Sequence, residues 1–80
     1  MAEQRMFAKS VVQSDAFMDT PLSAQALFFH LGMKAGKGWR LNSARSVARS
    51  VNASPDDLSV LIDRGFLIDE GNGVCRLREV

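Results

Sequence analysis

A run of basic side chains with no acid among them is the feature of this 80-residue sequence that most suggests a chemistry. Residues 34 to 49 hold five cations and no Asp or Glu, whereas residues 56 to 70 hold five carboxylates and a single Arg. Cations spaced along one surface bind the phosphate groups of nucleic acids. The formal net charge is only +1, so such attraction depends on the uneven distribution of charge and not on its sum. The five cations are Lys34, Lys37, Arg40, Arg45 and Arg49.

Two short helices joined by a tight turn are predicted to carry the last two of these cations. From Ala44 to Val51, small apolar residues recur at the three-and-four spacing of one helix face, and Arg45 and Arg49 lie on the other face. Asn52 tolerates the left-handed backbone that a sharp helix stop requires. The pattern indicates the first helix of a helix-turn-helix, and an ordinary helical hairpin is the alternative.

The second helix of the pair is predicted to begin at Ser54. Ser is a favoured N-cap, Pro55 suits the first helical position, and two aspartates follow beside the positive end of the helix dipole. Gly65 is predicted to end this helix. The predicted apolar stripe is Leu58, Leu61 and Ile62, and the predicted outward face is Asp56, Val60 and Asp63.

A β-hairpin is predicted to follow the helix pair. Residues 66–68 and 74–80 are β-prone, and the turn between them, residues 69–73, contains Asn72-Gly73. Residues 38–41 are predicted to add a short third strand. A helix pair followed at once by a hairpin is the element order of a winged helix-turn-helix. The sequence therefore predicts one mostly helical α+β domain over residues 1–80, with a three-helix core and a C-terminal hairpin wing.

A long helix predicted over residues 22–35 is apolar on two opposite faces. One face holds a core stripe that includes Leu27 and Leu31, and the reverse face carries Phe29 and Met33. A helix that is apolar all round is usually covered on both sides. The cover is either the N-terminal segment, residues 1–20, or a second subunit. The candidate residues of an oligomer interface are Met6, Phe17, Phe29 and Met33.

The sequence lacks the motifs of several other classes of protein. Cys75 is the single cysteine and His30 the single histidine, so no disulfide, zinc site or other metal site is predicted. A phosphate-binding loop, a nucleophile motif and a paired-carboxylate arrangement are also missing, so we expect neither a cofactor nor an enzyme. We see no signal peptide and no membrane span, which predicts a cytoplasmic protein without a membrane partner.

Two segments of the chain resemble the N-terminal domain of phage replisome organisers, relatives of DnaD-type primosomal replication proteins. The segments are RMFAKSVVQSDAFMDTPLSAQALFFHLGMKA and NASPDDLSVLIDRGFLI, of which SDAFMDTPLSAQALFFHL and DDLSVLIDRGF are the most specific parts. The resemblance implies a strand and a Ser-Asp-Ala-Phe turn before the first long helix. It also implies that the domain self-associates and binds origin DNA or other replication proteins. Full-length members of the family have a second domain, and the expected location is the cytoplasm of a host bacterial cell.

The chain departs from this family between residues 36 and 50, where GKGWRLNSARSVARS replaces an acidic stretch that contains Asn-Pro.

Two functions of different classes follow from these observations. The first is a non-enzymatic DNA-binding module of a replication initiator, in which arginines and lysines grip phosphates while Ser59 and Arg64 read base edges. The second is an interaction or oligomerisation module without DNA contact, and a transcriptional regulator of the same fold ranks third. The predicted nucleic-acid-binding residues are Lys37, Arg40, Arg45, Arg49, Ser59, Arg64 and Arg76.

Overall fold

Helices occupy most of the first two thirds of the chain, and a small antiparallel sheet closes the domain. The computed structural model describes residues 7–78. A 3₁₀ turn, Lys37–Trp39, separates the third helix from the first strand. The elements are α1 (Lys9–Val12), α2 (Asp15–Met18), α3 (Leu22–Lys34), β1 (Arg40–Asn42), α4 (Ala44–Ser50), α5 (Pro55–Asp63), β2 (Leu67–Gly71) and β3 (Val74–Leu77).

The order of these elements is that of a winged helix. Helices α3, α4 and α5 form the three-helix core, and the sheet has the strand order β1-β3-β2. The β2–β3 hairpin is the wing. The predicted fold class is therefore confirmed, including the short third strand, which begins at Arg40.

Local signals in the sequence set the boundaries of α4 and α5. Asn52 has a positive φ of 63° and stands in the turn between the two helices, because Asn tolerates this backbone better than most residues. Ser54 caps α5, and its hydroxyl accepts a hydrogen bond from the backbone N–H of Asp57. The Asp57 carboxylate accepts the Ser54 N–H in return, which completes a capping box.

The buried carboxylate of Asp57 also joins α5 to α3. Its Oδ1 accepts a hydrogen bond of 2.6 Å from the Ser23 hydroxyl, and its Oδ2 accepts the Ser54 N–H at 3.1 Å. The residue is only 7% exposed. A buried carboxylate is costly unless hydrogen bonds compensate it, so this network determines which side of α5 faces α3.

The hairpin differs in its boundaries from the prediction. Strand β2 continues to Gly71 with a bulge between Asp69 and Gly71, so the turn is Asn72-Gly73 alone and not residues 69–73. Asn72 and Gly73 have φ values of 55° and 77°, and two consecutive positive φ angles are what a type I′ turn requires. A turn of this type matches the right-handed twist of the strands, so β2 and β3 remain paired up to the residues next to the turn.

Phe17 was predicted to belong to an oligomer interface, but it is one of three aromatic rings at the centre of the core. The Phe17 ring lies 5.1 Å from the Phe28 ring and 5.2 Å from the Phe66 ring, measured between centroids. Phe17 is 1% exposed, so it packs inside its own chain and is not available to a second subunit. The other N-terminal candidate, Met6, lies outside the described residues.

The N-terminal segment from residue 7 to residue 20 covers one side of α3. Phe7 contacts Phe29 and Trp39, with ring centroids 5.0 Å and 5.4 Å apart. The described part of this segment holds the two short helices α1 and α2, and not the strand that the family resemblance implies. Within residues 7–78, none of the helices has the length and hydropathy that crossing a membrane requires.

We predict that Asp57→Ala lowers the free energy of unfolding by about 2 kcal/mol, because it removes the capping box and leaves the Ser23 hydroxyl without its acceptor. Urea denaturation followed by Trp39 fluorescence measures this. The matched control is Asp56→Ala, which removes an exposed carboxylate from the same helical turn and should cost less than about 0.5 kcal/mol. Equal losses in the two variants would contradict the role assigned to Asp57.

Candidate nucleic-acid interface

Helices α4 and α5 and the tip of the wing enclose an open groove of about 680 Å³. Ala48 and Leu58, which are mostly buried, contribute apolar surface to it. Ser59 and Ile62 of α5 also line it, and residues 71–73 supply the edge formed by the wing. The groove thus combines an apolar lining with polar groups contributed by three elements.

Arg45 and Arg49 supply the positive charge of this groove. They lie one helical turn apart on α4, both are exposed, and both line the groove. Among residues 7–78, no carboxylate forms a salt bridge with either of them. Helix α4 packs against the core through Ala44, Ala48 and the half-buried Val47, which leaves the guanidinium groups of Arg45 and Arg49 free to meet an anion.

The exposed face of α5 differs from the predicted one. Val60 was expected to face outward but is half-buried and packs against the core. Ile62 was expected to be buried but is 39% exposed and lines the groove. Ile62 lies one turn after Leu58 and next to the stripe formed by Leu58 and Leu61, whereas Val60 lies farther from that stripe, on the side of Asp57, which the hydrogen bond to Ser23 holds against α3. Ser59, Asp56 and Asp63 are exposed as predicted.

The sheet places Arg40 and Arg76 away from the groove. These two residues are paired partners on β1 and β3, and their neighbours Leu41 and Leu77 are buried. Alternate residues of a strand face opposite sides of a sheet, so the two arginines lie on the outer face. Cys75 lies on the inner face, where it lines the groove. Four of the predicted cations therefore lie on two separate surfaces, Arg45 and Arg49 in the groove and Arg40 and Arg76 on the outer face.

A carboxylate that the sequence analysis did not single out as a site residue lies between these two arginines. Glu70 accepts a hydrogen bond from the Nε–H of Arg40 through one oxygen and from the Nε–H of Arg76 through the other, both at 2.9 Å. The adjacent guanidinium of Arg76, and then that of Arg40, hold the pKa of Glu70 below its ordinary value of 4.5. We call Arg40, Glu70 and Arg76 the outer cluster.

The two remaining predicted cations line neither the groove nor the outer cluster. Lys37 is exposed in the 3₁₀ turn, and Arg64 is exposed at the C-cap of α5. His30 is exposed on α3. Within residues 7–78 no group of three or more His, Cys, Asp or Glu side chains is arranged to hold a metal ion.

Neither Glu70 nor the groove was predicted from the sequence. The alternation of residues 74–77, with Leu77 apolar and Arg76 polar, was the available signal for the face on which Arg76 lies.

Comparison with protein-family models, with curated proteins and with solved structures gives no match. The case for a function therefore depends on the residues themselves.

The thiol of Cys75 offers a probe of the groove. Burial, followed by the nearby carboxylates of Asp69 and Glu70, raises the pKa of this thiol above its ordinary value of 9.0. Because the thiolate is the reactive form, we predict that Cys75 reacts with a disulfide reagent more slowly than free cysteine at pH 8, with a profile shifted to higher pH. Absorbance of the released thiolate, recorded across the pH range, measures this.

The variant Asp69→Asn should recover only part of the shift, since burial is its largest cause. A pH profile for Cys75 that coincides with that of free cysteine would show that the thiol is fully hydrated.

Proposed function

We propose that this winged helix is a non-enzymatic DNA-binding domain of a phage-type replication initiator, and that the groove holds the sugar-phosphate backbone of duplex DNA. The single observation that carries the proposal is the pair Arg45 and Arg49, exposed and without a carboxylate partner in the described chain. The family resemblance supplies the biological setting, replication in the cytoplasm of a host bacterial cell. Other replication proteins are further partners under this proposal.

The placement of the groove supports backbone contact. In helix-turn-helix proteins the second helix of the motif enters the major groove, and the wing of this domain would approach the neighbouring minor groove. The backbone strand between the two DNA grooves then lies between α5 and the wing. Arg45 and Arg49 would neutralise its phosphates, and Ser59 on the exposed face of α5 would meet base edges.

The acids on α5 limit the strength of this binding. Asp56 and Asp63 are exposed on the same helix, and carboxylates repel phosphates while they can accept hydrogen bonds from cytosine amino groups. The proposal therefore gives the domain moderate affinity, with a strong dependence on salt. Lys37 and Arg64 would make phosphate or base contacts only at the margins of the site.

The double variant Arg45→Ala, Arg49→Ala tests the phosphate contacts. We predict that its affinity for a fluorescent duplex falls about tenfold at low salt, and that the slope of log affinity against log salt decreases by about 1.8, or 0.9 per lost contact. Fluorescence anisotropy titrations at several salt concentrations measure both quantities.

The matched control is Lys9→Ala, Lys34→Ala, which removes two exposed cations outside the groove. It should retain nearly the wild-type slope. If both double variants bind alike, the attraction is a general charge effect and the proposed groove site is wrong.

A second candidate function, self-association, is favoured by one surface. Four residues on the side of α3 opposite the core form what we call the α3 stripe: Leu22, Ala26, Phe29 and Met33. Leu22 is 79% exposed and Met33 63% exposed. They recur at the spacing of one helix face, and a contiguous apolar surface of this kind is typical of an interface.

The double variant Leu22→Glu, Met33→Glu tests this surface without disturbing the core. Phe29 is less suitable, since its ring also contacts the Phe7, Phe17 and Phe28 rings. We predict that light scattering gives an oligomer for the wild-type domain and a monomer for the variant, because two charges cannot be buried at an apolar interface. Ser10→Glu, Gln13→Glu, which adds the same charge on exposed positions of α1 and its C-cap, should leave the oligomer intact.

A further inference from the structure

The outer cluster has the geometry of an anion-binding site. We propose that Arg40 and Arg76 form a second phosphate-binding site, on the opposite side of the sheet from the groove, and that it takes the backbone of a second nucleic-acid segment. This inference rests on the proposed function, since it names the same class of ligand. Glu70 is the anion with which the phosphate competes.

The hydrogen bonds within the outer cluster leave most of its donors available. A guanidinium group has five N–H donors, and only the Nε–H of each arginine is engaged by Glu70. Within residues 7–78 no other side chain accepts from the terminal amino groups of Arg40 and Arg76, so these groups remain for another acceptor. Paired N–H groups at the edge of a guanidinium match the oxygens of a phosphate.

The exposure of the three side chains favours an incoming anion. The side chain of Arg40 is 56% exposed and that of Arg76 33%, whereas that of Glu70 is 29% exposed. All three side chains are therefore open to an incoming anion. Because two cations flank one anion, the cluster retains one positive charge.

The backbone holds these two arginines in fixed positions. Residues 40 and 76 are directly paired across β1 and β3, and the Gly36 N–H donates to the Arg40 carbonyl oxygen at 2.8 Å. Gly38 has a φ of 72°, and a Cβ at this position would lie 3.0 Å from Nη1 of Arg40. That contact is with the far end of a flexible side chain, so it is the pairing of the strands, and not Gly38, that fixes where the two arginines lie.

The position of the outer cluster separates its ligand from the ligand of the groove. Arg40 and Arg76 lie on the face of the sheet that points away from the groove, so we expect a short duplex whose backbone lies in the groove to contact the tip of the wing and not these two arginines. One domain would then hold two segments of nucleic acid at the same time. Bridging of this kind needs both sites, whereas binding of one segment needs either.

The test combines two measurements on a 12-base-pair duplex at low salt. Fluorescence anisotropy measures the affinity for a single duplex. Bridging is measured by immobilising one duplex on beads, adding the protein, and recording how much of a second, fluorescent duplex the beads retain. All proteins carry Leu22→Glu and Met33→Glu, and light scattering confirms that they are monomeric, so that self-association does not contribute. The variants added to this background are Arg40→Ala with Arg76→Ala, and Arg45→Ala with Arg49→Ala.

We expect each arginine pair variant to bind a single duplex with reduced affinity, and both to lose bridging by at least tenfold. Glu70→Gln should increase bridging several-fold and steepen its salt dependence, because it removes the competing anion but keeps both arginines.

The outcomes separate the two proposals. If Arg45→Ala, Arg49→Ala loses all binding, the outer site does not exist and the groove site stands. If Arg40→Ala, Arg76→Ala loses all binding, the groove proposal fails and the outer site stands alone. Two results would overturn the inference: bridging that is unchanged in Arg40→Ala, Arg76→Ala, or bridging that is reduced in Glu70→Gln. Either result would show that the outer cluster serves only the pairing of the strands.

Discussion

The carboxylate of Asp57 connects the two helices on which the candidate site depends. It caps α5 and, in the same position, accepts the Ser23 hydroxyl of α3. A charged group is stable in a nearly buried place only when its hydrogen bonds are satisfied, so α5 has little freedom to rotate. That orientation places Val60 against the core and turns Ser59 and Ile62 toward the groove.

The pairing of β1 with β3 is the second constraint, and it rearranges the charge of the chain. A basic run that is continuous in sequence is divided, because Arg40 belongs to the outer face of the sheet while Arg45 and Arg49 belong to α4. Arg76 joins Arg40 across the strands, and Glu70 lies between them. The domain thus has two separate positive surfaces, the groove and the outer cluster, although its net charge is small.

Features that depend on a few neighbouring residues could be predicted from the sequence. The stop at Asn52, the cap at Ser54 and the turn at Asn72-Gly73 each act within about four residues, so a pattern identifies them directly. The winged-helix order follows from these signals taken together. Phe17 shows the limit, since an apolar residue near the N-terminus suits a core and an interface equally, and only its contacts with Phe28 and Phe66 distinguish them.

By itself, the sequence determined the element order from α3 to the hairpin, the cap of α5, the Asn72-Gly73 turn and the apolar reverse face of α3, because each follows from local backbone preference or from periodicity along one element. Only the tertiary structure decided which face of α5 is exposed, which arginines lie together and which carboxylate neutralises them. A helical wheel places Ile62 nearer than Val60 to the stripe of Leu58 and Leu61, so periodicity alone predicts the wrong exposure for both residues, and Arg40 and Arg76 are far apart in the chain. Their roles depend on contacts between elements, and no pattern along a single element contains that information.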